Sequence, residues 1–580
     1  MSMLRFGIFA GLLTVAFGVF AERPNVILVM TDDQGYGDFG ATGNELIRTP
    51  HLEAMAKRSA TMTTFYVSPV CSPTRACLMT GRYNYRTRVI DTWLGRSMME
   101  PDEVTVAEVL RDAGYATGIF GKWHLGDSYP MRAIDQGFEE ALVHRGGGLG
   151  QPADHPDNDR RYTNPILYHN GRAVQTKGYC TDVYFDAAKT FIRTKANAGE
   201  PFFAYIAMNA PHGPFHDVPE GLRETYTTVP LETLSKKPIS KKRLAAEKDK
   251  LERIAAMITN VDDNMGELFS FLYDEELTEN TLVIFLTDNG PNTDRYAGPF
   301  RGKKSDVYDG GVRTPVWFQW PARLDAGTSS DALSAHIDLM PTILDACEVD
   351  APKKVSMDGR SLLPLLEGTD QAWSDRTITL QTHRGTQPTR YHHFMTRDAR
   401  WKLVHPSGFG RYEFEGEPNF ELYDLEKDPG EQDNVAEANP NIVARLKKEY
   451  DAWFDDVSST RPDNYAPPVI QIGTPHENPT SLTRQDWISE NWGQDATGHW
   501  NADFVEESRY SVTVYLYPTN KAGTVTLTIG EETFTEEVGA HAREAKFNRV
   551  RIPAGRHRIQ AVADYGSRAA HANQLAFNKL

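Results

Sequence analysis

Short, wholly apolar segments alternate with amphipathic stretches between about residues 25 and 345. Four of them have the length and composition of buried strands: 25–30, 116–120, 202–208 and 281–286. Helical patterns at 105–113 and 243–272 lie between them. Apolar strands that alternate with helices need cover on both faces. The pattern therefore predicts an α/β fold, with a large, mostly parallel sheet sandwiched by helices.

Polar residues follow these strands directly, at the point where each strand ends. They are Asp32-Asp33, Gly121-Lys122-Trp123-His124, Pro211-His212 and Asp288-Asn289. The carboxyl ends of parallel strands meet at one edge of an open α/β sheet, where ligands bind. Three carboxylates and one amide suit a hard divalent cation such as Ca²⁺. Either acidic pair alone could equally form a turn or cap a helix.

The sequence changes character after about residue 400. Apolar segments at 401–404 and 420–425 precede a helical pattern at 441–454, which indicates a small α+β subdomain. Five prolines in 461–480 indicate a linker, and alternating segments between 511 and 562 indicate an appended all-β sandwich. The predicted domains are a large α/β domain at 22–395, a subdomain at 396–460, the linker at 461–480 and the sandwich at 481–580.

The first residues predict export. Arg5 precedes an apolar run over 6–21 that ends in Val19-Phe20-Ala21, which is typical of a signal peptide at 1–21. The alternative is a membrane anchor, but the run is shorter than the roughly 20 residues that span a bilayer. No later stretch is long and apolar enough to span. We therefore expect a secreted or periplasmic protein.

Cys71 lies in the unusual segment Cys71-Ser72-Pro73-Thr74-Arg75. In this composition, on the order of 0.01 chance matches to Cys-x-Pro-x-Arg are expected. A buried thiol near a helix start is the alternative, but it explains neither the proline nor the arginine. If Cys71 is not available as a thiol, three cysteines remain: Cys77, Cys180 and Cys347. They can form at most one intramolecular disulfide.

These motifs resemble those of the type I sulfatases of the alkaline-phosphatase-like superfamily. In that family the cysteine of Cys-x-Pro-x-Arg is enzymatically oxidised to formylglycine. The resemblance runs from about residue 24 to 455, keeps the family's motif order, and is strongest to bacterial polysaccharide and glycosaminoglycan sulfatases. It also includes Arg301-Gly302-Lys303-Lys304 and Leu422-Tyr423-Asp424-Leu425. It implies a sulfated oligosaccharide substrate and a formylglycine-generating maturation enzyme as partner.

The resemblance implies a role for each matching residue. The ligands of one Ca²⁺ would be Asp32, Asp33, Asp288, Asn289 and formylglycine at Cys71. Arg75 would hold the aldehyde hydrate. The groups around the sulfate would be Lys122, His124, His212 and Lys304. The family pattern Arg-Gly-x-Lys selects Lys304 over Lys303, although Ser305 stands where the family often has glycine.

The chemistry of sulfate esters accounts for these residue types. An aldehyde hydrate carries two hydroxyls on one carbon, and one attacks sulfur while the cation and Arg75 lower the cost of its ionisation. Lys122 and Lys304 stabilise charge on the sulfate oxygens. His212 protonates the leaving oxygen. His124 deprotonates the second hydroxyl, which expels sulfate.

The segments 89–96 and 143–148 place polar and aromatic groups near the predicted site. Their candidate substrate-binding residues are Asp91, Trp93, Arg96, His144 and Arg145. These stretches resemble sulfatases that act at O4 of galacto-configured sugars, such as N-acetylgalactosamine 4-sulfate of chondroitin or dermatan sulfate. Ordinary loop chemistry is the alternative.

The charge balance of the chain restricts its partners. There are 62 Lys and Arg against 79 Asp and Glu, a formal charge of −17, which opposes nucleic-acid binding. An anionic substrate must then be recognised by a local cationic pocket, which favours exo action on chain ends over a broad basic groove. Two classes of alternative stay open. The first is another hydrolase on the same scaffold, either a phosphate or phosphonate monoester hydrolase or an arylsulfatase of other specificity. The second is a carbohydrate-binding protein whose large domain is inactive.

Overall fold

The computed structural model describes residues 23–151, 153–369, 373–414, 416–459, 461, 463–489, 498–566 and 569–580. The predicted signal peptide at 1–21 lies outside the described residues. Within these ranges no helix combines the length and apolar character that crossing a bilayer demands.

A ten-stranded sheet forms the centre of the large domain. Its strands are β1 (Asn25–Thr31), β2 (Ala60–Met62), β3 (Ala116–Lys122), β4 (Glu140–His144), β5 (Ile166–His169), β6 (Arg172–Gln175), β7 (Phe202–Ala207), β8 (Thr281–Thr287), β9 (Val316–Gln319) and β10 (Ser329–Ser330). Their order is β10-β2-β9-β8-β1-β7-β3-β4-β5-β6. The five strands from β8 to β4 are parallel, whereas β9, β5 and β6 pair antiparallel with their inner neighbours. This confirms the predicted α/β class, with mixed edges.

Helices cover both faces of this sheet. They are α1 (Pro50–Arg58), α2 (Cys71–Thr80), α3 (Val106–Asp112), α4 (Cys180–Asn197), α5 (Glu220–Glu224), α6 (Leu244–Asp274), α7 (Asp309–Val312), α8 (Leu339–Ala346) and α9 (Leu363–Leu366). Successive residues of β1 enter opposite cores: Val26 and Leu28 pack with α2, α3 and α8, while Ile27 and Val29 pack with α1, α4 and α6. A strand buried on both faces is apolar along its centre, as β1 is from Val26 to Met30.

Besides a two-stranded pair of Phe65–Tyr66 with Ser334–Ala335, further sheets lie toward the C-terminus. A four-stranded antiparallel sheet consists of β11 (Ile378–Gln381), β12 (Phe394–Arg397), β13 (Trp401–His405) and β14 (Glu421–Asp424), and α10 (Pro440–Ser458) packs on it. The sandwich contains β15 (Ile470–Ile472), β16 (Thr480–Thr483), β17 (Ile488–Ser489), β18 (Gly498–Phe504), β19 (Ser508–Tyr515), β20 (Gly523–Ile529), β21 (Glu532–Val538), β22 (Glu544–Ile552), β23 (Gly555–Asp564), β24 (Ala569–His571) and β25 (Gln574–Lys579). Its two main sheets share one apolar core. The predicted subdomain and sandwich are thus both present.

The structure bears on two expectations from the sequence, the linker at 461–480 and a disulfide. The segment 461–480 contains β15, whose Ile470 and Ile472 are buried in the sandwich core, so it is not an extended linker throughout. The domain boundaries themselves stay predictions. All four cysteines are buried and unbonded, so the one disulfide that the sequence allowed is not formed.

Candidate active site

The register of β1 and β8 builds the centre of the site. Thr31 lies beside Thr287 in the parallel pair, so Asp32 and Asp288 leave the sheet next to each other. The backbone N–H of Asp33 donates to Asp288 Oδ1 at 3.1 Å. All three carboxylates are fully buried.

Helix α2 brings Cys71 to these carboxylates at its first residue. Thr74 Oγ1 donates to the backbone oxygen of Asp288 at 2.7 Å, which fixes the helix to the end of β8. Arg75 Nη2 donates to Asp288 Oδ2 at 2.9 Å, and its Nη1 donates to the backbone oxygen of Lys122 at 3.0 Å. Every residue of α2 is buried. Pro73 is tolerated there because the first-turn N–H groups need no helical partner.

The oxygens at the centre of the site have the properties of metal ligands. Asp32 Oδ1, Asp33 Oδ2 and Asn289 Oδ1 are buried and have no hydrogen-bond donor within the part of the chain that the structure describes. One ligand atom from each of Asp32, Cys71 and Asp288 lies within 4.8 Å of the others. Unpaired buried acceptors are costly, so this oxygen-rich set fits a hard divalent cation.

The pKa values of the two central carboxyl groups also indicate a cation at this position. Burial, and next the charge of Asp32, raise the pKa of Asp288 to about 7. Burial likewise opposes ionisation of Asp32, but Lys122 and its other cationic neighbours outweigh this and hold the pKa of Asp32 below its usual value. Two carboxylates this close ionise together only if positive charge compensates them, which a bound divalent ion supplies.

Two lysines contact the carboxylates from opposite sides. Lys122 Nζ lies 2.5 Å from Asp32 Oδ2, and Lys304 Nζ lies 2.5 Å from Asp33 Oδ1. Burial lowers the pKa of Lys304, but Asp33 and the other anionic neighbours together outweigh burial and raise this pKa above its usual value. The structure therefore brings Lys304 into the site. Lys303 instead pairs with Asp294 at 3.2 Å, so the geometry agrees with the selection of Lys304.

Hydrogen bonds to three other segments of the chain fix the loop that carries Lys304. The backbone N–H of Lys304 donates to Pro291 O at 2.9 Å, and that of Ser305 donates to Pro69 O at 2.8 Å. Ser305 has a φ of +70°, the left-handed conformation that glycine adopts most readily. His393 Nε2 lies 2.7 Å from Ser305 O, and its Nδ1 accepts the N–H of Gly408 at 3.1 Å. These contacts make Nε2 of His393 the protonated nitrogen.

His124 faces residue 71. Its Nδ1 lies 3.5 Å from Cys71 Sγ, and its Nε2 lies 3.0 Å from the backbone oxygen of Thr92. The carbonyl can only accept, so Nε2 carries the proton and Nδ1 offers a lone pair to residue 71. Burial, and next the charge of Lys122, hold the pKa of His124 well below its usual value, so the ring is neutral. A neutral imidazole in this orientation can act as a base.

His212 lies on the other side of the centre. Its Nδ1 lies 2.6 Å from Gly213 O, and its Nε2 lies 3.6 Å from Asp33 Oδ2 and 3.5 Å from Gln151 Nε2. Burial lowers the pKa of His212, and Asp33 opposes this shift only in part. The Nε2 atom can exchange a proton with a group bound beside the carboxylates, whereas Nδ1 is fixed by the backbone.

The five predicted substrate-binding residues have different surroundings. Asp91 Oδ1 accepts from Arg384 Nη1 at 2.5 Å, and this guanidinium lies 5.5 Å from the ring centre of Trp93. His144 is adjacent to Lys122 in the β3–β4 register, with its Nδ1 3.1 Å from Arg145 O.

The two predicted arginines lie apart. Arg145 stacks on Tyr168 at 4.0 Å and faces a cleft toward the sandwich. Arg96 is buried and donates to the backbone oxygens of Thr386 and Tyr465, so its guanidinium holds the C-terminal segment instead of facing the site.

Sequence reasoning missed several residues that support the site. They are Thr92, Gln151, Arg384, His393 and Gln485. Gln485, from the sandwich, donates through Nε2 to Thr92 O, the same carbonyl that His124 contacts. Each is a single residue without a motif, and each acts across a long sequence separation. No local signal in the chain could have identified them.

Comparison with known proteins agrees with this geometry. The family model described as Sulfatase matches residues 24–349, more than half of the chain. The chain belongs to the sulfatase family. A second model, N-sulphoglucosamine sulphohydrolase, C-terminal, matches residues 302–454. Members of the sulfatase family are sulfuric ester hydrolases that generally use formylglycine and a divalent metal.

Individual relatives extend the match. N-acetylgalactosamine-6-sulfatase of Canis lupus familiaris is 31% identical over 378 residues, which are 60% of this chain and 66% of that protein, just under two thirds of its length. Arylsulfatase A of Homo sapiens is 30% identical, with 75% of this chain and 89% of that protein covered. The structure of Ps i-CgsB in complex with k-i-k-neocarrahexaose aligns with a TM-score of 0.64 at 26% identity, covering 76% of this chain and 94% of that one.

Proposed function

We propose that this chain hydrolyses sulfate esters of carbohydrates outside the cytosol, with formylglycine at position 71 and Ca²⁺ between the ends of β1 and β8. The observation that carries the proposal is the convergence of Cys71, three unpaired buried oxygens and the two site lysines at one point. The all-oxygen ligand set favours Ca²⁺ over zinc, which takes nitrogen and sulfur more readily. Asn289, where a di-zinc phosphatase would need a histidine, supports the same choice.

Two groups that this structure does not contain would supply part of the chemistry. Ca²⁺ would supply positive charge for the sulfate oxygens, and formylglycine would supply the hydroxyl that attacks sulfur and a second one for sulfate release. Ca²⁺ would be held by Asp32, Asp33, Asp288, Asn289 and the formylglycine at position 71.

The chain's own residues supply the remaining steps. Lys122 and Lys304 neutralise charge on the sulfate oxygens from two sides, and their carboxylate contacts orient them for this. Because Nδ1 of His212 donates to Gly213 O, Nε2 gives a proton to the leaving sugar oxygen from the imidazolium form, and the ring returns to the neutral form in that step. His124 Nδ1, aimed at position 71, takes a proton from the hydroxyl there. Arg75 holds position 71 from behind through Asp288.

The sugar and the sulfate position belong to the same proposal. The resemblance of the loops around Asp91 and His144 supports O4 of a galacto-configured sugar, such as N-acetylgalactosamine 4-sulfate, and the acidic charge balance of the chain supports exo action. The names of the animal relatives, N-acetylgalactosamine-6-sulfatases, favour position 6 as the second candidate.

Purified enzyme with matured residue 71 tests both proposals. We offer it 4-sulfated and 6-sulfated N-acetylgalactosamine disaccharides, together with an aryl sulfate and an aryl phosphate, and measure released sulfate and phosphate. Faster release from the 4-sulfate supports the first candidate, and equal rates or a preference for the 6-sulfate contradicts it. Turnover of aryl phosphate above every sulfate ester contradicts the sulfatase proposal itself.

A further inference from the structure

A large cleft separates the α/β domain from the sandwich. Its volume is about 1480 Å³, and its walls come from residues 145–173 on one side and from sandwich residues between 475 and 576 on the other. Pockets for single small molecules usually measure about 300–1,000 Å³. The cleft therefore has room for more than one sugar ring.

Arginines and tyrosines from both domains line the cleft. Its arginines include Arg145, Arg160 and Arg172 of the α/β domain and Arg484 and Arg543 of the sandwich. Arg543 Nη1 lies 3.7 Å from Asp157 Oδ1 on the opposite wall, so the two walls approach within the reach of one ligand. Guanidinium groups bind sulfate and carboxylate in a bidentate manner, and tyrosine rings pack on sugar faces. This lining is unexpected in a chain of net charge −17.

Two of the five acids that line the cleft are buried and accept backbone N–H groups. Asp154 is buried and accepts the N–H of Gly150 at 2.7 Å, and Glu477 is buried and accepts the N–H of Tyr129 at 2.9 Å. Glu544 pairs with Lys546 at 2.6 Å. Six arginines line the cleft against five acids, so the whole lining carries one more positive than negative side chain.

One loop connects the cleft with the active site. Gln151 lines the cleft, and its Nε2 lies 3.5 Å from Nε2 of His212. In the same loop, a Cβ at Gly147 would lie 2.9 Å from Cε1 of His124, so the loop backbone itself forms part of the site wall. A chain whose end sits at the site can leave over this loop into the cleft.

We propose that this cleft binds the further anionic sugar units of a sulfated oligosaccharide whose terminal sulfate ester occupies the active site. The inference rests on the proposed function and extends it, because it assigns substrate binding to the appended sandwich. It predicts that affinity increases with chain length, with the additional contacts made by arginines of both walls.

Equilibrium binding tests this without turnover. We use the full-length, Ca²⁺-loaded chain with Cys71→Ala and titrate a sulfated chondroitin disaccharide and hexasaccharide of the isomer that the active enzyme prefers. The test pair is Arg172→Ala with Arg543→Ala, one from each wall. The control pair is Arg193→Ala with Arg551→Ala, since Arg551 matches Arg543 in exposure (71% against 74% for the side chain) and neither control residue lines the cleft.

We expect the parent to bind the hexasaccharide roughly tenfold more tightly than the disaccharide, and the test pair to lose most of this ratio. Disaccharide affinity and the control pair should stay within about twofold of the parent. An unchanged ratio in the test pair, or an equal loss in the control pair, overturns the proposal. Sulfate release by the active enzyme is measured separately, so absence of release contradicts the proposed function and not the cleft.

Discussion

At residue 71, burial and the charge of nearby lysines shift the pKa of the thiol in opposite directions. Burial raises the pKa of the Cys71 thiol, while Lys122 and Lys304 lower it less strongly. The thiol therefore stays protonated at neutral pH and is a poor nucleophile. This residue could be identified from the sequence because its motif is local. Its partner His124 was also found, but the carbonyl of Thr92 that sets the tautomer was not.

His393 offers a test of how Lys304 is positioned. It contacts Lys304 only through the backbone of Ser305, so it is a positioning residue. We expect His393→Ala to raise KM for a sulfate ester roughly fivefold, about 1 kcal/mol for one hydrogen bond, with a smaller change in kcat.

His393→Gln is the matched control, because its amide can still donate to Ser305. We expect the glutamine variant to have a KM for the sulfate ester, and an inhibition constant for inorganic sulfate, close to those of the wild type. Equal kinetics for the alanine variant and the wild type would show that Ser305 holds its conformation without this contact.

At the scale of elements, the sequence predicted the central strands well and the edges poorly. β1, β3, β7 and β8 are wholly buried and mostly apolar, so their composition alone identifies them. The hairpin of β5 and β6 was missed because its edge strands carry exposed polar residues, which resemble loops.

The register between strands could not be predicted from periodicity. That Thr31 pairs with Thr287 depends on the packing of the whole sheet, and this pairing decides that Asp32 and Asp288 meet. The sequence thus indicated which residues end the strands, but their distances required the structure.

The ends of β1 and β8 should be stabilised by the cation. Without it, the unpaired oxygens of Asp32, Asp33 and Asn289 lie buried close to one another. A ligand at about 100 times its Kd stabilises the folded state by about 2.7 kcal/mol. We therefore expect a chelator to lower Tm by several degrees, as measured by calorimetry, and Ca²⁺ to restore it.

Asn289→Ala provides the comparison for this measurement. It removes one ligand without removing a charge, so its response to the chelator should be smaller than that of the wild type. A wild-type Tm that does not change with chelator or added Ca²⁺ would contradict the assignment of the metal site.

At the scale of the whole molecule, the sandwich contributes to the active site. Gln485 donates to Thr92 O, and Asp486 Oδ2 accepts the N–H of Asp127, whose own Oδ1 accepts the N–H of Gly146 in the loop beside the site. The first two of these contacts join residues more than 350 positions apart. The sequence predicted the sandwich but gave no reason to connect it with His124.

Gln485→Ala tests this connection. Loss of its hydrogen bond should free the Thr92 carbonyl and loosen His124, lowering kcat roughly fivefold with little change in KM. Gln560→Ala is the control, since Gln560 is a partly buried glutamine of sandwich strand β23 and does not line the cleft. An equal decrease in kcat for both variants would mean that general destabilisation, not the Thr92 contact, is responsible.

Cys71→Ala, produced together with a formylglycine-generating enzyme, tests the central claim most directly. The tryptic peptide over residues 59–75 of the active wild type is analysed by mass spectrometry, and sulfate release is measured for both proteins. We predict an aldehyde at position 71 of the wild type and a loss of sulfate release from Cys71→Ala to the level without enzyme. Sulfate release that survives in Cys71→Ala, or an unmodified thiol in fully active wild type, would contradict the account.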